Sequence, residues 1–363
     1  MTIVSATSPR GILLRGAATA ILALAALAPT GGQAAPHVSV FASGFNNPRG
    51  LKFGPDGNLY VAEGGVGGSM STVGQCTQVP GPVGPYTGST TSGGISKVDS
   101  SGHRTVVTSA FPSSETSNGL TSGVADIAFI GGTMYAITAG SGCSHGVAGT
   151  TNGIFRVSAN GHATMIADLS AYQKAHPVAH PEADDFEPDG TWYSMVAVRG
   201  ALYAVEPNHG ELDRVTTGGA ISRVADISAA YGHIVPTAMA YHGNFYVGNL
   251  NTFPITSGSS KVIKINPAGQ SQTVVWGLTM VTGLAFDARG TMYVLENTVG
   301  EMFPAPGHGD IVRVDSSGKK TVVVDGLAVP TSMTFGPDDA LYVSNAGFGA
   351  PPGAGQVLRI TGL

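Results

Sequence analysis

The chain has 363 residues, of which 53 are glycine and 22 proline, while charged residues make up 11% and hydrophobic ones 42%. So few Lys, Glu and Arg argue against a helical bundle, and so large an apolar share argues against intrinsic disorder. With a formal charge of −5 and 18 scattered Lys and Arg there is no basic face for nucleic acid; the composition predicts a turn-rich, all-β protein.

Arg10 and Arg15 precede an apolar run from Gly16 to Ala28, which Pro29 and Gly31-Gly32 close. The run, about 13 residues, is too short for a bilayer span of roughly 20, and small residues follow at Gly32 and Ala34. No Cys follows to take a lipid, and no Arg pair marks the twin-arginine route. Residues 1–34 are expected to be a Sec-type signal peptide cleaved after Ala34, which takes the formal charge from −5 to −7. The product is expected to be periplasmic or extracellular, monomeric and without a membrane span.

Residues 35–363 read as one domain built on a repeat. A lone strand, Val38 to Phe41, stands first. A small turn followed by an apolar residue, Tyr, and Val or Ala then recurs at Tyr60, Tyr135, Tyr203, Tyr246, Tyr293 and Tyr342. The spacings are 75, 68, 43, 47 and 49, so a period of about 45 is lengthened twice by insertions, which is the period of propeller blades. A strand-like triplet precedes each Tyr, such as Leu51-Lys52-Phe53 or Leu284-Ala285-Phe286, across tight turns such as Gly54-Pro55-Asp56-Gly57. A third alternating segment follows, from Ile95-Ser96-Lys97-Val98 to Val357-Leu358-Arg359-Ile360, and in five copies a fourth, as at Thr321-Val322-Val323-Val324.

This predicts a six-bladed β-propeller of four-stranded antiparallel blades, over about 47–112, 118–170, 190–228, 234–277, 280–326 and 329–363. The last copy lacks its fourth strand, so strand 38–41 is expected to supply it and close the ring. The six tyrosines, and the cations Lys97, Arg156, Arg214, Lys264, Arg313 and Arg359, occur in every copy and read as architecture, the ring covering a cationic stem between neighbouring blades.

Function is expected where the copies differ. Three residues after each Tyr, at one rim, stand Glu63, Thr138, Glu206, Asn249, Glu296 and Asn345, and the loops reaching that rim add Arg49, Asp126, Tyr193, Thr237, Thr282 and Thr331. Oxygen donors of this kind suit Ca²⁺ or Mg²⁺, with Glu63, Asp126, Glu206 and Glu296 as candidate ligands. The second strand lies roughly 4.8 Å outside the innermost one, so all these carboxylates cannot meet at one ion. The alternative is that the polar ends bind the backbone of neighbouring inter-blade loops.

Blade 3 is densest in chemistry. Glu206-Pro207-Asn208-His209 places an imidazole three residues from a rim carboxylate, a spacing open to acid–base work. The segment Asp184-Asp185-Phe186-Glu187-Pro188-Asp189-Gly190-Thr191-Trp192-Tyr193 reads either as a polar pocket with an aromatic wall or as a solvated acidic loop. His176 and His180 are each followed by proline, which forbids the helix that would align them as a metal pair. Cys76 and Cys143, the only cysteines, fall in Gly-rich insertions of adjacent blades and are expected to form a disulfide in an oxidising compartment.

The stretch Asn47-Pro48-Arg49-Gly50-Leu51-Lys52-Phe53-Gly54-Pro55-Asp56-Gly57-Asn58-Leu59-Tyr60-Val61-Ala62-Glu63, the segment Ala167 to Tyr172 and the closing Gly355 to Ile360 resemble the ScyD/ScyE family of exported propellers over about residues 38–363. More distantly the repeats are similar to NHL repeats, the SMP-30/gluconolactonase group and streptogramin lyases. The resemblance implies the fold; for lactonases of that group it also implies a divalent ion held by Glu, Asn and Asp, to which Glu63, Asn249, Glu296 and Asn345 are similar. Three functions follow as expectations: a propeller without committed catalytic residues that binds a small molecule, glycan or protein at Arg49, Glu63, Asp126, Tyr193, Glu206, Asn208, His209, Asn249, Glu296 and Asn345; a divalent-metal lactone hydrolase or lyase using Glu206 or Glu296 with His209; or a structural cell-envelope protein.

Overall fold

The computed structural model describes residues 35–181 and 186–363; the expected signal peptide, Asp184 and Asp185 lie outside the described residues. Six antiparallel sheets follow one another, each with its first strand innermost. Blade 2 is representative: Val124–Ile130, Thr133–Thr138, Gly153–Val157 and Ala163–Asp168 pair in chain order. Alternation in these strands puts one set of side chains against each neighbouring blade. Six apolar clusters result among the described residues, one at each blade interface.

Ring closure is as expected, with a longer strand. His37–Phe45 pairs with Gly355–Thr361 as the outer strand of blade 6, from His37 opposite Thr361 to Phe45 opposite Gly355. It runs past residue 41 because Ala42 and Phe45 are buried with Leu51 and Val61 of blade 1 and Tyr342 of blade 6.

Blade 1 departs from four strands. Its third strand starts at Thr87 and its fourth runs to Glu115, where Thr121–Ser122 adds a fifth. Glycine permits this tall hairpin to lie against blade 2, since a Cβ on Gly88 would sit 2.4 Å from Val147 Cγ2. Two short helices, Leu169–Ala175 and Ile227–Tyr231, follow blades 2 and 3, capped by Asp168 and Asp226. The repeated Asp-(Leu/Ile)-Ser-Ala at 168–171 and 226–229 encodes both.

Each repeat tyrosine lies directly opposite its cation on the adjacent strand, Tyr60 with Lys97 through Tyr342 with Arg359. The contact is therefore within one blade and not between blades. The hydroxyls of Tyr60 and Tyr342 hydrogen-bond Asp56 and Asp338 in the hairpin turns, at 3.0 and 3.1 Å. Cations seated over rings are found elsewhere, at Arg104 over Phe45, Lys261 over Tyr231 and Arg49 over Phe348.

Cys76 and Cys143 form the expected disulfide, 67 residues apart in sequence. By chain entropy a loop of that length contributes up to about 4 kcal/mol. Cys143→Ser is expected to cost roughly 2–4 kcal/mol in denaturant unfolding, and unfolded, unreduced wild-type protein should titrate no free thiol.

Candidate functional site

The rim residues are committed to backbone. Glu63 accepts from Asn46 N at 2.7 Å, Glu206 from Thr191 N at 2.8 Å, Asn345 from Ala328 N at 2.8 Å, and Glu296 from Thr279 N. Asn249 donates to Ile234 O and accepts from Lys261 N, both at 2.8 Å. Thr138 pairs with Gly153. In blades 1, 4, 5 and 6 the clamped peptide precedes a residue in the left-handed region: Asn47, Val235, Met280 and Val329, with φ of 42–53°. Such a conformation costs on the order of 1–3 kcal/mol in a residue with a side chain. A side chain that pins the preceding peptide offsets that strain, which accounts for the polar residue at this position in blades 1, 4, 5 and 6. Of the two readings of the rim, the structure supports backbone clamping. Glu63, Asp126, Glu206 and Glu296 stand in separate blades, and no group of three or more His, Cys, Asp or Glu among the described residues is placed to hold a metal.

The inner loops close the channel. Thr282 Oγ donates to Pro330 O at 2.9 Å and Thr331 Oγ to Pro48 O at 2.6 Å, so blade 5 is tied to blade 6 and blade 6 to blade 1. Thr237 does the same to Val281 O, and Asp126 accepts from Met195 N of blade 3 at 2.7 Å. Gly50 lets blade 1 abut this carboxylate, since a Cβ there would lie 2.0 Å from Asp126 Oδ1. Tyr193 reaches across the axis from blade 3, its hydroxyl donating to Thr331 O of blade 6 at 2.9 Å beside Arg49 of blade 1. Burial lowers the Arg49 guanidinium to about 10; it donates to Thr121 O and lies 3.6 Å from the Phe348 ring centroid. Arg49, Asp126 and Tyr193, expected as ligand-facing groups, are thus brought together as a plug.

In blade 3 the predicted pair forms: His209 N donates to Glu206, and His209 Nδ1 lies 3.4 Å from Glu206 Oε2. Both are buried, and Phe186 packs on the imidazole at 5.0 Å. Burial would raise Glu206, but His209 and the N–H groups of Thr191 and His209 hold it below the ordinary range. Asn208 accepts from Glu187 N at 2.8 Å. The described part of the acidic segment is neither a pocket wall nor solvated. Glu187 and Asp189 are buried, Trp192 is in the core, and Asp189 takes the N–H and hydroxyl of Ser144 and the ammonium of Lys174. His176 turns to Tyr172 O, while the His180 N–H goes to Ser228, so those two histidines do not converge.

Sequence reasoning missed three features. Ser114 Oγ, His145 Nδ1 at 3.2 Å, and Glu187 Oε2 at 3.4 Å from His145 Nε2 form a buried chain, with Tyr86 donating to Glu187 at 2.7 Å. Ser114 is 1% exposed, and burial pulls His145 down to about 4, so a chain with a neutral imidazole joins three insertions near the disulfide. No local motif marks it, because its members come from three blades.

The second is a carboxyl pair in blade 5, Glu296 opposite Asp310. Burial and mutual repulsion push Glu296 up to about 8, and burial pushes Asp310 up to about 6, so the pair holds one proton at neutral pH.

The third is an aromatic row on the rim. Phe253, Phe303 and Phe348 lie in the loops after the second strands of blades 4, 5 and 6, with ring centroids 5.7 and 6.0 Å apart, ending on Arg49. Phe253 is 55% and the adjoining Met302 88% exposed. The signal was available: those three loops each carry a Phe, and the corresponding loops of blades 1–3 carry none.

Two depressions, of about 480 and 550 Å³, open at the other end of the strands between blades 6 and 1 and blades 1 and 2. They are lined by hairpin turns and lie away from the rim.

No protein-family model and no curated protein matches the chain. Among solved structures, the PQQ-bound aldose sugar dehydrogenase of Streptomyces coelicolor is similar at 14% identity and TM-score 0.54, over 90% of this chain and 98% of that one. A gluconolactonase from Xanthomonas campestris is similar at 11% identity and TM-score 0.53, over 90% of each chain. Streptogramin B lyase is similar at 12% identity and TM-score 0.50, over 90% and 97%. These likenesses establish the propeller fold.

Proposed function

We propose that the chain is an exported propeller of the ScyD/ScyE type that binds an uncharged ligand, a glycan or a planar small molecule, on the rim of blades 4–6. The aromatic row carries this reading. Three phenyl rings in sequence, beside the exposed Met302, form an apolar strip in the region where propellers bind ligands, and surface strips of this kind mark binding sites. The plugged channel directs a ligand across the rim and not into the axis. Export is supported by the disulfide and by the N-terminal charge and hydropathy pattern. No helix among the described residues is long and apolar enough to cross a membrane.

Calorimetric titration with neutral cello- and chito-oligosaccharides and with a planar aromatic dye tests the reading. Removal of one stacking ring is expected to cost about 1–2 kcal/mol, so Phe303→Ala should weaken binding roughly tenfold without changing the fold. Binding by none of these probes, or equal binding by Phe253→Ala and Phe303→Ala, contradicts it.

One observation favours a second reading, a lactone hydrolase. The Glu296–Asp310 pair holds a proton at neutral pH and flanks the loop that carries Phe303, so it places an acid near the row. Hydrolysis of a lactone panel that Asp310→Asn abolishes would move the assignment to this class.

A further inference from the structure

Between blades 2 and 3 a circuit of contacts runs around a cluster of buried polar side chains. Tyr172 Oη accepts from Arg223 N at 2.9 Å, and Arg223 Nε donates to Glu211 Oε2 at 2.5 Å. Glu211 stands opposite Glu206 across the sheet, and Glu206 accepts from Thr191 N. The adjoining Gly190 abuts Gln173, whose Oε1 would lie 2.3 Å from a Cβ there, and Gln173 follows Tyr172 on the helix Leu169–Ala175. Asp213 shares the Glu211 face of its strand, opposite Ala204, which belongs to the same core cluster as Trp192.

The groups of this circuit are deeply buried: Glu206, Glu211 and Asp213 are 0% exposed, and Gln173 and Trp192 are 1% exposed. Yet Asp213 Oδ1 and Oδ2, Glu211 Oε1, both amide atoms of Gln173 and Trp192 Nε1 have no hydrogen-bond partner among the protein groups. A buried polar atom without a partner costs about 1–3 kcal/mol, and native proteins satisfy nearly all of them, with ordered water or an ion where protein is lacking. Here the unsatisfied atoms include four acceptor oxygens, and the basic groups beside Glu206, Glu211 and Asp213 are the Arg223 guanidinium and the His209 imidazole. The chemistry in deficit is positive charge.

We propose that this cluster is a Ca²⁺ site, with Asp213 and Glu211 as carboxylate ligands and the Gln173 carbonyl and water completing the shell. Glu206 is excluded from ligation because Thr191 N and His209 N already occupy its oxygens. An oxygen-only set with mixed carboxylate, amide and water donors suits Ca²⁺, which takes 6 to 8 ligands flexibly, better than Mg²⁺ or a metal that prefers nitrogen and sulfur. The site is independent of the aromatic row, which lies on other blades, and it would act by fastening blade 2 to blade 3.

The test is calorimetry and thermal unfolding of the full mature chain after chelator treatment, titrated with CaCl₂ and separately with MgCl₂. Saturable binding of one Ca²⁺ per chain is expected, with a melting temperature raised by roughly 5 °C at saturation. Asp213→Asn should abolish both effects, and Gln173→Leu should weaken binding about tenfold or more. A cluster satisfied by water alone would give neither heat nor shift in the wild type. That outcome, or Ca²⁺ binding retained unchanged in both variants, overturns the proposal; if Asp213→Asn does not fold, the wild-type titration and Gln173→Leu decide.

Discussion

A chain lacking residues 37–45 is expected to melt on the order of 10–20 °C below the intact domain, or not to fold, because this strand pairs with Gly355–Thr361 as the fourth strand of blade 6 and joins that blade to blade 1. Its removal leaves Gly355–Thr361 as an unpaired edge and strips Ala42 and Phe45 from the cluster formed by Leu51, Leu59 and Val61 of blade 1 with Tyr342 and Val357 of blade 6. Loss of the fully buried Phe45 alone costs about 3–5 kcal/mol, and the lost sheet bonds add to that. The melt also becomes less cooperative, since each blade is stabilised by its two neighbours and the ring is now open between the last and the first. Differential scanning calorimetry decides the matter: a deletion variant melting within about 2 °C of the intact domain would show that the ring closes without the strand.

Stability is expected to fall as pH rises from about 5 to 9, with Glu296 and Asp310 the main cause at the rim of blade 5. Both folded carboxyls are raised, to about 8 and about 6, above unfolded values near 4. Between those limits the native state binds more protons than the unfolded chain, so stability is fully present below the unfolded pKa values and is lost as pH climbs through the folded ones. The pair is buried, so the loss amounts to a few kcal/mol and a melting temperature lower by roughly 5–10 °C. Asp310→Asn removes one charge and supplies a donor to Glu296. That variant should flatten part of the slope and melt above wild type at pH 8.5, since the buried carboxyls of Glu211 and Asp213 are raised as well; an identical slope in both proteins would assign the pH dependence to other groups.

The propeller was legible in the sequence because a blade is a local object. Four short strands joined by tight turns repeat a Tyr, a turn and a cation at fixed offsets, and Tyr60 faces Lys97 as Tyr342 faces Arg359. Closure by the N-terminal strand was legible for the same reason: a blade with three strands and a strand with no blade can satisfy each other. Even the disulfide followed from two cysteines in neighbouring insertions.

Side-chain direction at the rim was not legible. A carboxylate at Glu63, Glu206 or Glu296 reads the same whether it faces a metal or a backbone amide. Only the fold reveals that the peptides it holds precede left-handed residues such as Asn47 and Met280. Tyr193 looked like a ligand group because the sequence does not show that blade 6 lies across the axis from blade 3. Ser114, His145 and Glu187 meet through insertions of three blades, and Tyr172 meets Arg223 only when blade 2 packs on blade 3. The sequence by itself determined what recurs every 45 residues or so, because repeated local pairing fixes register and period. Which polar groups are sealed, which plug the channel and which stand exposed was decided by the tertiary structure, since burial and long-range contact belong to the closed ring and not to any one blade.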